Sequence, residues 1–212
     1  ELLADHDFEV LVLKGAAMAH LHFAAPYLRP RCDVDLFIAE RQTDAIAELL
    51  ERNGYRISGR DTRKNASRQF GAALPAGARG FVAFDIHWRL SNRTLFRDSL
   101  LFGESLASAQ AVPPLGARAL SLGNADLLIH ACIHRIAHGR NTERDRLIWL
   151  FDIHLLAERM NEDEQAFFRE KAARKRVGVL CADALKVTRE IFGTAVSPDL
   201  IAALEGNYRN EP

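Results

Sequence analysis

Two aspartates, Asp33 and Asp35, stand two positions apart in the run DVDLFI and are the residues of this chain best suited to chemistry. The apolar residues around them predict a buried strand over 33–38, and a strand turns residues two apart to the same face. Two carboxylates side by side repel unless a cation lies nearby, and such hard oxygen ligands suit Mg²⁺ or Mn²⁺. Metal-assisted phosphoryl chemistry is therefore the leading interpretation.

A third carboxylate, Asp85, lies in the segment GFVAFDIHWRL. Polar and apolar residues alternate there, which predicts a strand over 80–88 with Asp85, His87 and Arg89 on one polar face. His87 and Arg89 are expected either to contact a triphosphate or to form ion pairs across the sheet. The sequence favours neither role over the other.

The segment EVLVLKGAAMAHLHF lies upstream of the paired aspartates. It predicts a strand over 9–13, a turn at Lys14-Gly15 and a helix over 16–23. A glycine in such a turn lets a phosphate approach the backbone, and the first turn of a helix offers unpaired amides to an anion. Lys14 and the amides around Gly15 and Ala16 are therefore candidates for binding the outer phosphates of a nucleotide.

These motifs resemble the nucleotidyltransferase superfamily with the DNA polymerase β type palm, and within it an uncharacterised bacterial nucleotidyltransferase group that carries an LKG motif. The similar segments cover most of the chain and are LKGAAMAHL (13–21), LRPRCDVDLFI (28–38), FDIHWRL (84–90), DLLIHACIHRIAHG (126–139) and LIWLFDIHLL (147–156). The resemblance implies an α+β fold, a palm with a mixed sheet and flanking helices followed by a helical bundle.

The resemblance also implies two divalent ions, Mg²⁺ or Mn²⁺, that bind a nucleoside triphosphate. Asp33, Asp35 and Asp85 would be the catalytic residues and metal ligands, and Asp85 would also help to activate the acceptor. The nucleotide- or phosphate-binding residues would be Lys14, Gly15, Ala16, Arg29, His87 and Arg89.

The glycine turn departs from the superfamily pattern, because Gly15-Ala16 stands where Gly-Ser is usual. The hydroxyl expected at a terminal phosphate is missing, and Lys14 would supply charge instead. Two hypotheses follow. The first is an enzyme that moves a nucleoside monophosphate from a triphosphate to an unknown acceptor hydroxyl and releases pyrophosphate. The second is a catalytically weak or inactive binding or regulatory module, antitoxin-like or a partner subunit.

Composition restricts the partners. The 212 residues are 48% hydrophobic, and 28 Lys and Arg balance 28 Asp and Glu, which is typical of a soluble globular protein without a global field for nucleic acid or membrane. The most basic stretch is 51–70. Such a run more often forms the solvated rim of a sheet than a binding surface, so nucleic acid is a possible partner but not the favoured one. The acceptor could be a small molecule, a protein or RNA. No apolar run approaches the length of a membrane span.

The three cysteines, Cys32, Cys132 and Cys181, contain no C-x-x-C pair. Neither a disulfide framework nor a zinc site is indicated, so a reducing cytoplasm is expected. The first predicted strand begins soon after Glu1, which suggests that an N-terminal segment precedes this sequence.

The chain is expected to divide into a nucleotidyltransferase-like α/β palm over 1–112 and a helical domain over 113–212, with no strand after 116. Asn161 and Ser197 are the expected caps of two helices in the second part. His130, His134 and His138 recur every four residues on one predicted helix. The outer two would be roughly 12 Å apart, too far to share an ion, so a packing face is favoured over a zinc site.

Overall fold

The structure is a computed structural model that describes residues 1–60, 68–77, 80–137 and 145–206. The chain divides into two compact units. The first contains Glu1–Asn92 and Leu101–Leu122, and the second contains Arg93–Leu100 and the chain from Gly123 onward.

The first unit is built on a mixed sheet of seven strands among the described residues. In chain order these are β1 (Val10–Val12), β2 (Val34–Ile38), β3 (Arg56–Ser58), β4 (Gln69–Pro75), β5 (Phe81–His87), β6 (Gln110–Ala111) and β7 (Leu120–Ser121). Their order across the sheet is β3-β4-β5-β2-β1-β7-β6. β2 is parallel to β5, antiparallel to β1, and lies at the centre of the sheet. The strands predicted to carry the three acids are therefore direct neighbours.

Four described helices accompany this sheet: α1 (Leu2–Asp5), α2 (Lys14–Leu21), α3 (Thr43–Arg52) and α4 (Phe102–Ala107). In α3 the apolar residues recur at helical spacing, which predicts one buried face. Gly54, just beyond this helix, has a φ of +85°, a left-handed conformation that glycine adopts without a steric cost.

The two faces of β2 contact different surroundings because successive side chains alternate. Leu36 and Ile38 join the core formed with Ile46 and Leu50 of α3. Phe37 lies on the other face with Asp35, and its ring meets that of Phe102 edge to face, 5.4 Å between centroids. Apolar packing on one face thus fixes the register that presents Asp35 on the opposite face.

The second unit is helical in its described part. Its helices are α5 (Asn124–Ala137), α6 (Leu147–Arg159), α7 (Glu162–Arg174), α8 (Gly178–Phe192) and α9 (Pro198–Glu205). Asn161 caps α7 in a capping box with Glu164, and the Ser197 side chain accepts a hydrogen bond from the amide of Leu200 at the start of α9. Both caps are where the sequence predicted them.

The α+β fold class is confirmed, but the expectation that strands end before 116 is wrong. β7 pairs in parallel with β1 through Leu11↔Leu120 and Val12↔Ser121. Two residues are too few to produce a recognisable alternation, so only the sheet partner reveals this strand. The predicted domain boundary at 112/113 consequently lies inside the first compact unit.

β4 and β5 pair antiparallel, as expected of strands joined by the predicted hairpin-like loop over 75–80. Ala78 and Arg79 of that loop lie outside the described residues. Among the described helices, none combines the length and apolar character needed to cross a membrane.

Candidate active site

The candidate site lies where β2 and β5 run side by side. Their parallel register pairs Asp35 with Asp85, and Phe37 with His87. Because Asp85 and His87 are two residues apart on β5, both side chains leave the same face of the sheet. Asp35, Asp85 and His87 each offer one potential ligand atom, and these atoms lie within 4.8 Å of one another. The described residues contain no other group of three such ligands.

Asp35 is the buried centre of this arrangement, with 9% of its surface exposed. Lys14 Nζ donates a hydrogen bond to Asp35 Oδ1 at 2.6 Å, and His87 Nε2 donates to the same oxygen at 2.9 Å. Burial by itself raises the pKa of Asp35, but the His87 hydrogen bond and the Lys14 charge outweigh it and hold this pKa well below its usual range. Asp35 is therefore a carboxylate at neutral pH.

His87 is 4% exposed, and burial lowers its pKa below the ordinary value against the opposing effect of the Asp35 hydrogen bond. Its imidazole is therefore neutral at pH 7. The sequence predicted His87 only as a contact to nucleotide or phosphate. Its spacing from Asp85 on an alternating strand already placed both on one face, and this was the signal for a shared ligand group.

Asp33 lies immediately before β2 and is exposed, outside the close group formed by Asp35, Asp85 and His87. Partial burial raises the pKa of Asp33, and the charges of Asp35 and Asp85 raise it further. These two electrostatic contributions place Asp33 near both other carboxyl groups. Asp35 and Asp85 therefore lie together, whereas Asp33 lies outside their close group but within range of their charges.

Lys14 and Gly15 form the start of α2. Leu13, the residue before the helix, provides no side-chain hydrogen bond to it. Lys14 has a φ of +44°, in the left-handed region that residues other than glycine seldom adopt. Such strain persists where the surroundings over-determine it, and here the lysine side chain reaches Asp35.

The Arg29 guanidinium lies next to Gly15 at the start of α2. A Cβ atom added to Gly15 would be 3.5 Å from Cζ of the Arg29 guanidinium. Arg29 is 8% exposed, and its Nη1 donates to the carbonyl of Pro30 at 3.0 Å. The start of α2, Lys14 and Arg29 therefore form one cationic region beside the acids. Ala16, the third predicted residue of the turn, is buried in α2.

Arg89 contacts a carboxylate outside the predicted acids, that of Glu40. Its Nη2 lies 3.1 Å from Glu40, and its Nη1 donates to the carbonyl of Trp88 at 2.8 Å. These contacts correspond to the ion-pair alternative for this residue.

The most basic stretch of the sequence also has carboxylate partners. Arg60 contacts Glu48 and Glu51, and Arg68 contacts Glu40. Arg63 and Lys64 lie outside the described residues. The contacts that the structure describes fit the interpretation of a solvated rim.

The histidines of α5 make aromatic contacts within the second unit. The His130 and His134 rings are 6.3 Å apart at their centroids, and the His134 ring lies 4.7 Å from that of Trp149. His138 lies outside the described residues. These ring contacts fit the packing face expected for His130 and His134.

The donor set of the site fits a hard divalent cation. Neighbouring ligands in an octahedral shell with bonds of roughly 2.1 Å are about 3 Å apart. The potential ligand atoms of Asp35, Asp85 and His87, all within 4.8 Å of one another, are close enough to share one such ion after small side-chain adjustments. Two carboxylates with one imidazole suit Mn²⁺ and remain compatible with Mg²⁺.

A mixed sheet with acids on two adjacent strands, followed in the chain by a helical bundle, defines a nucleotidyltransferase-type protein of the α+β class. The model of a family described as uncharacterised nucleotidyltransferase matches residues 1–193. The chain belongs to this family, and the resemblance predicted from the sequence is confirmed. A search of curated proteins finds no match.

Proposed function

We propose that this protein transfers a nucleoside monophosphate from a nucleoside triphosphate to an acceptor hydroxyl and releases pyrophosphate. The observation that carries the proposal is the convergence of Asp35, Asp85 and His87 on two neighbouring strands of a nucleotidyltransferase-family sheet. Asp33 adds a third carboxyl group at the margin. Family membership gives the class of reaction, and the local charges support the roles below.

The divalent ions would be held by Asp35 and Asp85 together with His87 or Asp33. The family resemblance implies two such ions. Bound there, Mg²⁺ or Mn²⁺ supplies positive charge that offsets the charge on the phosphates. Lys14 pairs directly with Asp35, and the charges of Asp33 and Asp85 remain to be offset by such a cation.

The phosphates would be held by the cationic region opposite the acids. Lys14 and the first amides of α2, at Gly15 and Ala16, would bind the outer phosphates, and Arg29 would add charge beside them. The Ala16 side chain cannot donate a hydrogen bond, so the grip depends on backbone amides and the two cationic side chains.

In the reaction, the acceptor oxygen would attack the α-phosphorus in line with the bond to the bridging oxygen. The new P–O bond forms as the bond to pyrophosphate breaks. Asp85 would accept the proton of the attacking hydroxyl, and the leaving pyrophosphate would stay against Lys14 and the start of α2.

Replacing Asp35 by Asn tests the proposal. The change keeps the size of the side chain and removes the buried charge, so we expect Mn²⁺-dependent binding of ATP, GTP, CTP and UTP, and release of pyrophosphate, to fall by roughly 100-fold or more. Binding is measured by calorimetry with and without Mn²⁺, and turnover by pyrophosphate release.

Asp44→Asn is the matched control, because it removes the same negative charge from an exposed residue in the first turn of α3. Unchanged binding and turnover in Asp35→Asn would contradict the metal assignment. Metal-dependent nucleotide binding by the unaltered protein, without pyrophosphate release on any acceptor tried, would support instead the alternative of a binding or regulatory module.

The predicted cytoplasmic location stays a prediction. It rests on the cysteine pattern, and the structure has Cys32, Cys132 and Cys181 as free thiols, the last two buried.

A further inference from the structure

The Lys14 ammonium lies on the carboxylate that the proposed function assigns to a metal ion. Nζ is 2.6 Å from Asp35 Oδ1, and only 16% of the lysine side chain and 12% of the aspartate side chain are exposed. At such burial the attraction between the two charges is weakly screened by solvent. Lys14 is therefore a strong built-in partner of Asp35.

Asp35 Oδ1 is also contacted by His87, which leaves little room for a metal ion at this oxygen. A carboxylate oxygen accepts about two hydrogen bonds in its plane, and Lys14 and His87 both donate to Oδ1. A divalent ion can bind this oxygen only by replacing one donor. If it binds the other oxygen of Asp35, it shares the carboxylate with an ammonium of like charge. In both cases the Lys14 charge opposes the ion.

The backbone at Lys14 indicates that this contact is imposed by its surroundings. A φ of +44° at a lysine is unfavourable, whereas the neighbouring Gly15 would tolerate such a conformation more readily. The lysine also occupies the first position of α2, next to the amides of Gly15 and Ala16. From this position a flexible lysine side chain can turn from Asp35 to an anion bound at the helix start.

We propose that Lys14 is a counter-ion that exchanges partners: its ammonium neutralises Asp35 until a metal–nucleotide complex binds, and then moves to the phosphates. This inference rests on the proposed function and adds that the metal and the nucleotide bind together rather than the metal first. The lysine weakens binding of the metal alone and strengthens binding of the metal together with the nucleotide. The site therefore favours the metal–nucleotide complex over the free cation.

The test is Lys14→Gln, measured for two ligands. We expect the variant to bind Mn²⁺ alone more tightly, by about 5-fold to 10-fold, because the competing charge is removed. We expect it to bind Mn²⁺ with a non-hydrolysable ATP analogue more weakly, by about 10-fold, because a cationic contact to the phosphates is lost. Free Mn²⁺ is measured by electron paramagnetic resonance, and analogue binding by calorimetry at saturating Mn²⁺.

Arg41→Gln is the control for the loss of one positive charge, since Arg41 is exposed and its salt partner is Glu9. Lys14→Arg keeps the positive charge, so we expect this variant to bind Mn²⁺ alone as weakly as the unaltered protein does. Circular dichroism confirms that each variant is folded, and Lys14→Met replaces Lys14→Gln if the latter is not.

The opposite signs of the two effects decide the inference. Equal or weaker binding of Mn²⁺ alone by Lys14→Gln would overturn it, while the proposed function would stand if the unaltered protein binds the metal and nucleotide. Absence of Mn²⁺ binding in both proteins, with or without the analogue, would instead refute the proposed metal site. The same sign of change for both ligands would mean that Lys14 has a purely structural role.

Discussion

At the residue scale, Asp35 combines burial with charge because two donors satisfy one of its oxygens. An unpaired carboxylate with this burial would shift towards its neutral form. Lys14 and His87 reverse that tendency and keep the pKa of Asp35 low. The side chain is thereby held in the ionised form that a metal ligand requires.

The neutral state of His87 predicts a dependence of stability on pH. Burial lowers the pKa of His87 in the folded protein below the ordinary value of 6.5. As the pH falls through 6.5, the unfolded chain takes up this proton first, so folding stability falls with pH until the lower folded pKa is reached. Replacing His87 by Gln should remove this contribution and flatten the stability profile below pH 7.

Urea unfolding at pH 7.5 and pH 5.5 measures the effect. The loss of stability between these two pH values should be smaller in His87→Gln than in the unaltered protein. His6→Gln is the control, since His6 is an exposed histidine near the start of the chain. An equal loss in all three proteins would show that His87 does not titrate as the burial predicts.

At the scale of elements, a buried ion pair joins two helices of the second unit. Lys171 on α7 and Asp126 on α5 are 2% and 1% exposed, and Nζ lies 2.5 Å from Oδ1. Taking both charges out of water is costly, and the attraction between them offsets part of that cost. The pair therefore fixes which faces of α5 and α7 meet.

Replacing Lys171 by Met should lower the free energy of unfolding by about 3–5 kcal/mol, because the Asp126 carboxylate is left buried without its cation. Changing Asp126 to Leu in the same chain should recover most of this loss. Both are measured by chemical denaturation.

Lys186→Met is the matched control, because Lys186 contacts Glu205 with both side chains more than 40% exposed. It should cost less than about 1 kcal/mol. If the Lys171 single variant proved as stable as this control, the pair would not be buried in solution.

At the scale of the whole molecule, equal numbers of basic and acidic residues argue against a nucleic-acid ligand. With 28 of each, the chain has no net charge at pH 7 when histidines are neutral. Nonspecific affinity for nucleic acid depends on cationic side chains that displace counterions. In the basic stretch, the described Arg60 and Arg68 already contact carboxylates.

We therefore expect a fluorescent single-stranded RNA to show no anisotropy change with this protein at physiological ionic strength. The same preparation should bind a nucleoside triphosphate with Mn²⁺, which serves as the positive control. Salt-dependent RNA binding would contradict the expectation, and its loss in Arg52→Gln and Arg56→Gln would locate it to the basic stretch.

The sequence by itself determined the main elements and the acids. Alternation and helical spacing predicted the strands that carry Asp35 and Asp85, and local capping chemistry predicted the starts of α7 and α9 at Asn161 and Ser197. These features depend on residues close in the chain, so a short window contains their cause. The LKG and DVDLFI motifs were sufficient to indicate the family that the match to residues 1–193 confirms.

Tertiary structure alone decided how these pieces combine. The pairing of β7 with β1, the position of His87 beside Asp35, and the contact of Lys14 with the same carboxylate all join residues far apart in sequence. Each depends on strand order, register and burial, which emerge only when the sheet packs against its helices. The sequence was therefore sufficient to identify the acids, whereas the contact between the Lys14 ammonium and Asp35 could be recognised only in the folded protein.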